Sequence, residues 1–334
     1  MRRARAHLPS TVAALVALGG AGCGLGLWDE EPGGSANLPT LGAGAYRRLG
    51  PDIDTPGDEP WVIDDRFETF SDPAPLARAG GGLRVWFGWA AQDQLGSTIG
   101  YAELSSVHDL PVVAPRVVLT PSAAWEQGRI GAPAIADLGD GHLVMFYEGG
   151  DVATPAIGRA DSTDDGDTWS RGDAPVLTDA AQPTVAVLDG QLVLFVTRPG
   201  EVGIFRTELA AATATAFTLR PEPVIVPRPE LADAFDAVEV GSPFALITVS
   251  QAGRAHWGLW FTGAAEAPDA GAPPTAVGYA GSFDGDTWER FGGPDPVLGS
   301  NAFGPAVVLD GATGVMLFHD QHRLQLGIAA AVHP

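Results

Sequence analysis

Short apolar runs recur along the chain, each opening near a proline and followed by a glycine-containing turn and a second run that ends in an aromatic residue. Ala74-Pro75-Leu76 leads to Val85-Trp86-Phe87, and Ala132-Pro133-Ala134-Ile135 leads to Val144-Met145-Phe146-Tyr147. Gln182-Pro183-Thr184-Val185 leads to Val193-Leu194-Phe195, Ser242-Pro243-Phe244 to Leu259-Trp260-Phe261, and Gly304-Pro305-Ala306-Val307 to Met316-Leu317-Phe318. These prolines stand 58, 50, 60 and 62 residues apart. A third run follows in each unit, an apolar residue and a glycine before a small or aromatic one. Its copies start at Ile99-Gly100, Ile157-Gly158, Val202-Gly203, Val277-Gly278 and Leu326-Gly327. A fourth run is Pro175-Val176-Leu177, Pro223-Val224-Ile225, Pro296-Val297-Leu298 and, more loosely, Arg116 to Leu119. Proline at its start suits an outer edge, where a missing N–H matters least.

The last unit stops after its third run, yet a spare copy of the fourth, Pro60 to Ile63, precedes the first unit. The expectation is an all-β, five-bladed propeller over residues 59–334, its last blade closed by that N-terminal strand so that no sheet edge stays open.

The chain has 334 residues, with 44 glycines, 28 prolines and 45% hydrophobic residues, enough for a large core joined by many tight turns. A formal net charge of −22 excludes a nucleic-acid partner, because phosphate binding needs a basic footprint. Residues 1–22 read as an export signal: Arg2, Arg3 and Arg5, a short apolar stretch, then Gly20-Ala21-Gly22. The only cysteine, Cys23, follows at once, and the arrangement resembles the processing site of bacterial lipoproteins, with Gly20 where a leucine is usual. The expected address is the bacterial cell envelope, held to the membrane only through lipid on Cys23; a secreted or periplasmic soluble protein is the alternative. Residues 23–58, rich in glycine, proline and acids, read as a tether. One cysteine permits no disulfide framework, and a monomer is expected.

Ser162 to Trp169 matches the Asp-box turn of sialidase-like propellers, and Ser282 to Trp288 is a relative one residue shorter. Short polar side chains there satisfy turn amides and the tryptophan plugs the blade, so these aspartates are read as structural. No cofactor is required, and Ca2+ is the ion that an acidic turn or funnel would take.

With this blade order the chain resembles the five-bladed superfamily of arabinanases, invertases and levansucrases, best over Val277 to Arg290 and Pro294 to Leu298. The resemblance implies carboxylates at the starts of inner strands around a central funnel. Asp72, before Pro73, matches the aspartate that opens the first blade in arabinanase-like members, where it is the general base. The pattern departs at Ala132, Gly131 and Gly241, where the family carries acids.

The funnel face is expected to hold the catalytic candidates Asp72 and Glu239, with Glu126 or Glu148 as substitutes for one of the pair, because glycoside cleavage needs two carboxylates. Trp89, Trp125, Arg129, Glu148 and Gln182 are the ligand-binding candidates, and His319 is the metal candidate. The readings that follow are a glycan-binding or glycan-processing protein, a noncatalytic lipoprotein that holds a protein partner on its loop face, and a structural envelope component.

Overall fold

The computed structural model describes residues 46–48, 68–78, 80–91, 97–105, 113–231, 233–250, 253–266, 275–299, 301–310, 313–320 and 327–333. The export signal, Cys23 and Pro60 to Ile63 lie outside the described residues. The fold is an all-β propeller. Its described strands form five antiparallel sheets. The inner strands are Glu68–Ala77, Ile130–Asp137, Ala181–Leu188, Glu239–Val249 and Ala302–Asp310. Each packs beside the next, and the fifth returns to the first. The second strands, Leu83–Ala91, Leu143–Gly149, Gln191–Thr197, Ala255–Ala264 and Thr313–Asp320, pair outward from them.

The proline of each unit has a structural reason. At five equivalent places the inner strand's register shifts, and the two residues bypassed are Asp72-Pro73, Ala132-Pro133, Gln182-Pro183, Ser242-Pro243 and Gly304-Pro305. The residue before each proline has a positive φ, from 42° at Ser242 to 57° at Gly304. A bulge turns that residue toward the axis, and proline needs no ladder partner there. The first unit's proline is therefore Pro73, not Pro75, because the bulge and not the apolar run sets the register.

The glycine of the third strand is also explained. A Cβ on Gly158 would stand 2.4 Å from the Tyr147 ring, and one on Gly100 would stand 2.4 Å from Phe87. An aromatic of the second strand lies flat over the place where a side chain would be.

The outer strand of the fifth sheet is Arg47–Arg48, which pairs antiparallel with Gly327–His333. Tyr46 beside it is buried among Trp260, Val297 and Met316, and its N–H donates to the Val297 carbonyl at 2.7 Å. The last sheet is thus completed from the N-terminal side as expected, but by a segment placed in the tether. Tyr46 adds a buried aromatic to the core cluster between the fourth and fifth sheets.

The Ser-x-Asp turns join neighbouring sheets. In the second sheet, Ser162 Oγ accepts from Gly166 N–H at 2.9 Å and Asp164 accepts from Thr168 N–H at 2.9 Å. Hydrogen bonds from the Thr168 hydroxyl and amide hold the Asp164 carboxyl at a pKa of about 2. Trp169 stands edge-on to Trp86 of the first sheet at 6.1 Å, and Asp165 pairs with Arg84 of that sheet. The fourth sheet repeats this toward the third: Trp288 stands edge-on to Phe195 at 5.8 Å, and Asp286 pairs with Arg206.

Candidate functional site

The bulged residues Asp72, Ala132, Gln182, Ser242 and Gly304 form a neck around the propeller axis. Above it lies a cavity of about 230 Å³ bounded by Asp72, Trp89, Arg129, Glu148, Gln182 and Phe303, among others. A neighbouring lobe of about 590 Å³ shares Arg129, Glu148 and Gln182 and adds Arg198, Glu201 and Glu239. Together they are the funnel.

Side chains of one sheet serve backbone groups of the next. Glu148 Oε2 accepts the Gln182 N–H at 3.0 Å, while its other oxygen receives Arg129. Gln182 Oε1 accepts the Ser242 N–H at 2.9 Å and the Thr197 hydroxyl at 3.1 Å. Thr262 Oγ1 accepts the Gly304 N–H at 3.0 Å. These acceptors come from the second strand or the bulge, one sheet back. The positive φ is thus a device of the whole ring, so backbone strain alone does not mark Asp72 as reactive.

Charge does mark it. Asp72 is the one acid among the five neck positions. Burial raises its carboxyl above the usual carboxylate range, against the opposing pull of a Ser71 hydrogen bond and the Arg129 charge. Its side chain leans over Gly304, where an added Cβ would stand 3.2 Å from Oδ1. Arg129 is braced by donating Nε–H to the Gly150 carbonyl at 3.0 Å.

The candidates therefore divide. Asp72, Trp89, Arg129, Glu148 and Gln182 come together around one cavity. Glu239 is exposed at the start of its strand and lines only the neighbouring lobe, so it is not beside Asp72.

Glu126 is not on the funnel wall. Its side chain is wholly buried and accepts from Ser122 N–H at 2.5 Å, Ala123 N–H at 2.8 Å, Tyr147 Oη at 2.8 Å and Arg171 Nη1 at 2.9 Å. Burial opposes its ionisation, but these donors outweigh it and hold the carboxyl below the usual range. Trp125 belongs to the same structure: it stacks on Tyr147 at 5.9 Å and packs against the core cluster between the first and second sheets. The fourth sheet repeats the arrangement, with Phe235 stacked on Phe261 at 6.0 Å and buried Asp236 bound by Arg228 and Arg290. Sequence could have shown this, because Arg171 and Arg290 each follow a turn tryptophan by two residues.

His319 is buried on the second strand of the fifth sheet, edge-on to Phe303. Among the described residues no cluster of three His, Cys, Asp or Glu could hold a metal ion. The neck positions Ser242 and Gly304, and Thr197 and Thr262 behind them, were missed as site residues. Their shared signal is adjacency to an inner-strand proline, or pairing with the residue two positions before it.

No family model matches the chain, and no curated protein does. Solved structures do. A glycosyl hydrolase from Bacteroides ovatus superposes with a TM-score of 0.64 at 15% identity, covering 89% of this chain and 95% of that one. A GH130-family glycoside hydrolase described as targeting β-1,2 mannosidic linkages in Candida mannan gives 0.65 at 15% identity, over 88% and 95%. The β-1,2-mannobiose phosphorylase from Listeria innocua, bound to β-1,2-mannobiose, gives 0.63 at 11% identity, over 86% and 96%. The fold is that of glycoside hydrolase-like proteins. At such identities the likeness carries the architecture and no residue roles.

Proposed function

We propose that this chain is an exported, lipid-anchored five-bladed propeller that admits a glycan to its funnel and hydrolyses a glycosidic bond, with Asp72 as the acid and not the general base that the arabinanase-like resemblance implies. The observation that carries the reading is the raised carboxyl of Asp72, in a cavity that also presents Trp89, Arg129 and Glu148. A carboxyl whose pKa is raised by burial holds its proton more readily, and that proton passes to the departing glycosidic oxygen. Water adds to the anomeric carbon and gives up its proton to Glu148. Trp89 offers an apolar face to a sugar ring. The five sheets are read as the five blades, and Cys23 after a small-residue run supports the lipid anchor. The neighbours' mannosides make β-linked manno-oligosaccharides the first compounds to screen.

A second reading, a noncatalytic envelope protein that holds a protein partner on its loop face, is favoured by three exposed valines at the larger lobe. Val152, Val202 and Val238 are 81%, 59% and 42% exposed. Oligosaccharides with unactivated leaving groups separate the two, because they depend on the acid. Asp72→Asn is expected to lower kcat/KM by about 10² to 10⁴-fold, and Glu239→Gln to change it little. Cleavage that survives Asp72→Asn overturns the assignment of the acid. A broad screen without turnover leaves the second reading.

A further inference from the structure

Below the neck the funnel continues as a channel of about 390 Å³ along the propeller axis, and its wall changes character. The neck contributes Asp72, Gln182 and Ser242, and beneath it the lining includes Leu76, Ile135, Val187, Phe244, Leu246 and Val308. Those six are only partly buried, so their remaining apolar surface faces the channel. Funnel cavity and channel share Asp72, Ala132 and Gln182 and so meet at the neck. Alanine, serine and glycine at three neck positions keep that opening wide. Along the first inner strand, Asp72 to Ala77 spans about 16 Å at the usual rise per residue.

A sugar gains little from such a wall, since its hydroxyls would lose water without finding partners. An alkyl chain has no such loss. We infer that the channel binds the apolar aglycone of an amphiphilic glycoside, so that the ligand class is an alkyl glycoside or glycolipid, with its sugar in the funnel and its tail on the axis. Asp72, leaning across the neck, then stands at the junction of sugar and tail. The sugar half of this inference rests on the proposed reading of the funnel; the channel half does not.

The test is calorimetric titration of the full chain with methyl, butyl, hexyl and octyl β-glycosides of mannose and glucose, and separately with 1-octanol, below any micelle concentration. Affinity is expected to rise about fourfold for each methylene added, the ratio that corresponds to about 0.8 kcal/mol per buried CH₂. Val308→Trp and Leu76→Trp, which fill the channel from two different sheets, should remove the chain-length dependence. Leu246→Gln, which makes the wall polar without filling it, should flatten it. Melting temperatures identify any variant that fails to fold, and the remaining ones then decide. Affinity independent of chain length together with no octanol binding overturns the channel assignment, as does a chain-length dependence that survives both tryptophan variants. Octanol binding that the tryptophan variants abolish, with no gain from the sugar, upholds the channel and overturns the glycan reading of the funnel.

Discussion

Asp72 and Glu126 show how two carboxyl groups in one chain are driven in opposite directions. Asp72 has its pKa raised by burial, so the folded state favours the protonated form. Its contribution is fully favourable below the ordinary value of 3.8 and is lost as pH rises through the folded pKa. Asp72→Asn should therefore gain stability relative to the parent as pH rises above about 4, with the gain levelling off above the folded value. Urea denaturation at a series of pH values reads this directly, and a gain that grows toward acid would contradict it. Glu126 has a lowered pKa, so its support is present above the ordinary value of 4.5 and fades as pH falls. Glu126→Ala leaves Arg171 without its buried partner and should cost about 3 kcal/mol, while funnel ligands bind unchanged. Lost ligand binding by a folded Glu126→Ala protein would return Glu126 to the site.

At the scale of the element, the Ser-x-Asp turn is a clamp between sheets and not a loop ornament. Its hydrogen bonds fix the turn, and the fixed turn presents a tryptophan and an aspartate to the preceding sheet. Trp169 and Trp288 are only half buried, so each change to Ala is expected near the low end for an aromatic, about 3 kcal/mol in chemical denaturation. The inner-strand bulge is the other recurring element. It places one residue per sheet on the axis, and at Gln182, Ser242 and Gly304 the neighbouring sheet holds that residue's backbone N–H.

For the whole molecule, closure depends on Tyr46 to Arg48. Deleting residues 24–44 should leave the melting temperature unchanged, whereas deleting 24–50 should lower it sharply and broaden the transition. The longer deletion uncovers the edge of Gly327–His333 and removes a buried tyrosine from the last core cluster. Equal melting of the two truncations would show that the strand adds nothing to closure. The five core clusters each lie between adjacent sheets, and one of them packs Val315 and Leu317 of the fifth sheet against Phe70 and Val85 of the first.

The sequence by itself determined the all-β class, the recurring units and the tryptophan turns. Each of these is a local pattern: alternating burial, a proline that cannot pair, short polar side chains that satisfy nearby amides. It also marked Asp72, because an acid before an inner-strand proline can be read without knowing its neighbours. The tertiary structure decided what local pattern cannot encode. Nothing local marks Tyr46 to Arg48 as a strand; its pairing with Gly327–His333 and the burial of Tyr46 in the last core cluster make it one. Glu126 and Glu148 look equally available in sequence. Contacts from Arg171, Tyr147 and two backbone amides bury the first, whereas Glu148 bridges two sheets at the cavity wall. Glu239 looked like the partner of Asp72 from its place ahead of a proline. Its position four residues before that bulge-flanking proline instead puts it in a different lobe, because a propeller brings together residues at equal depth on different strands.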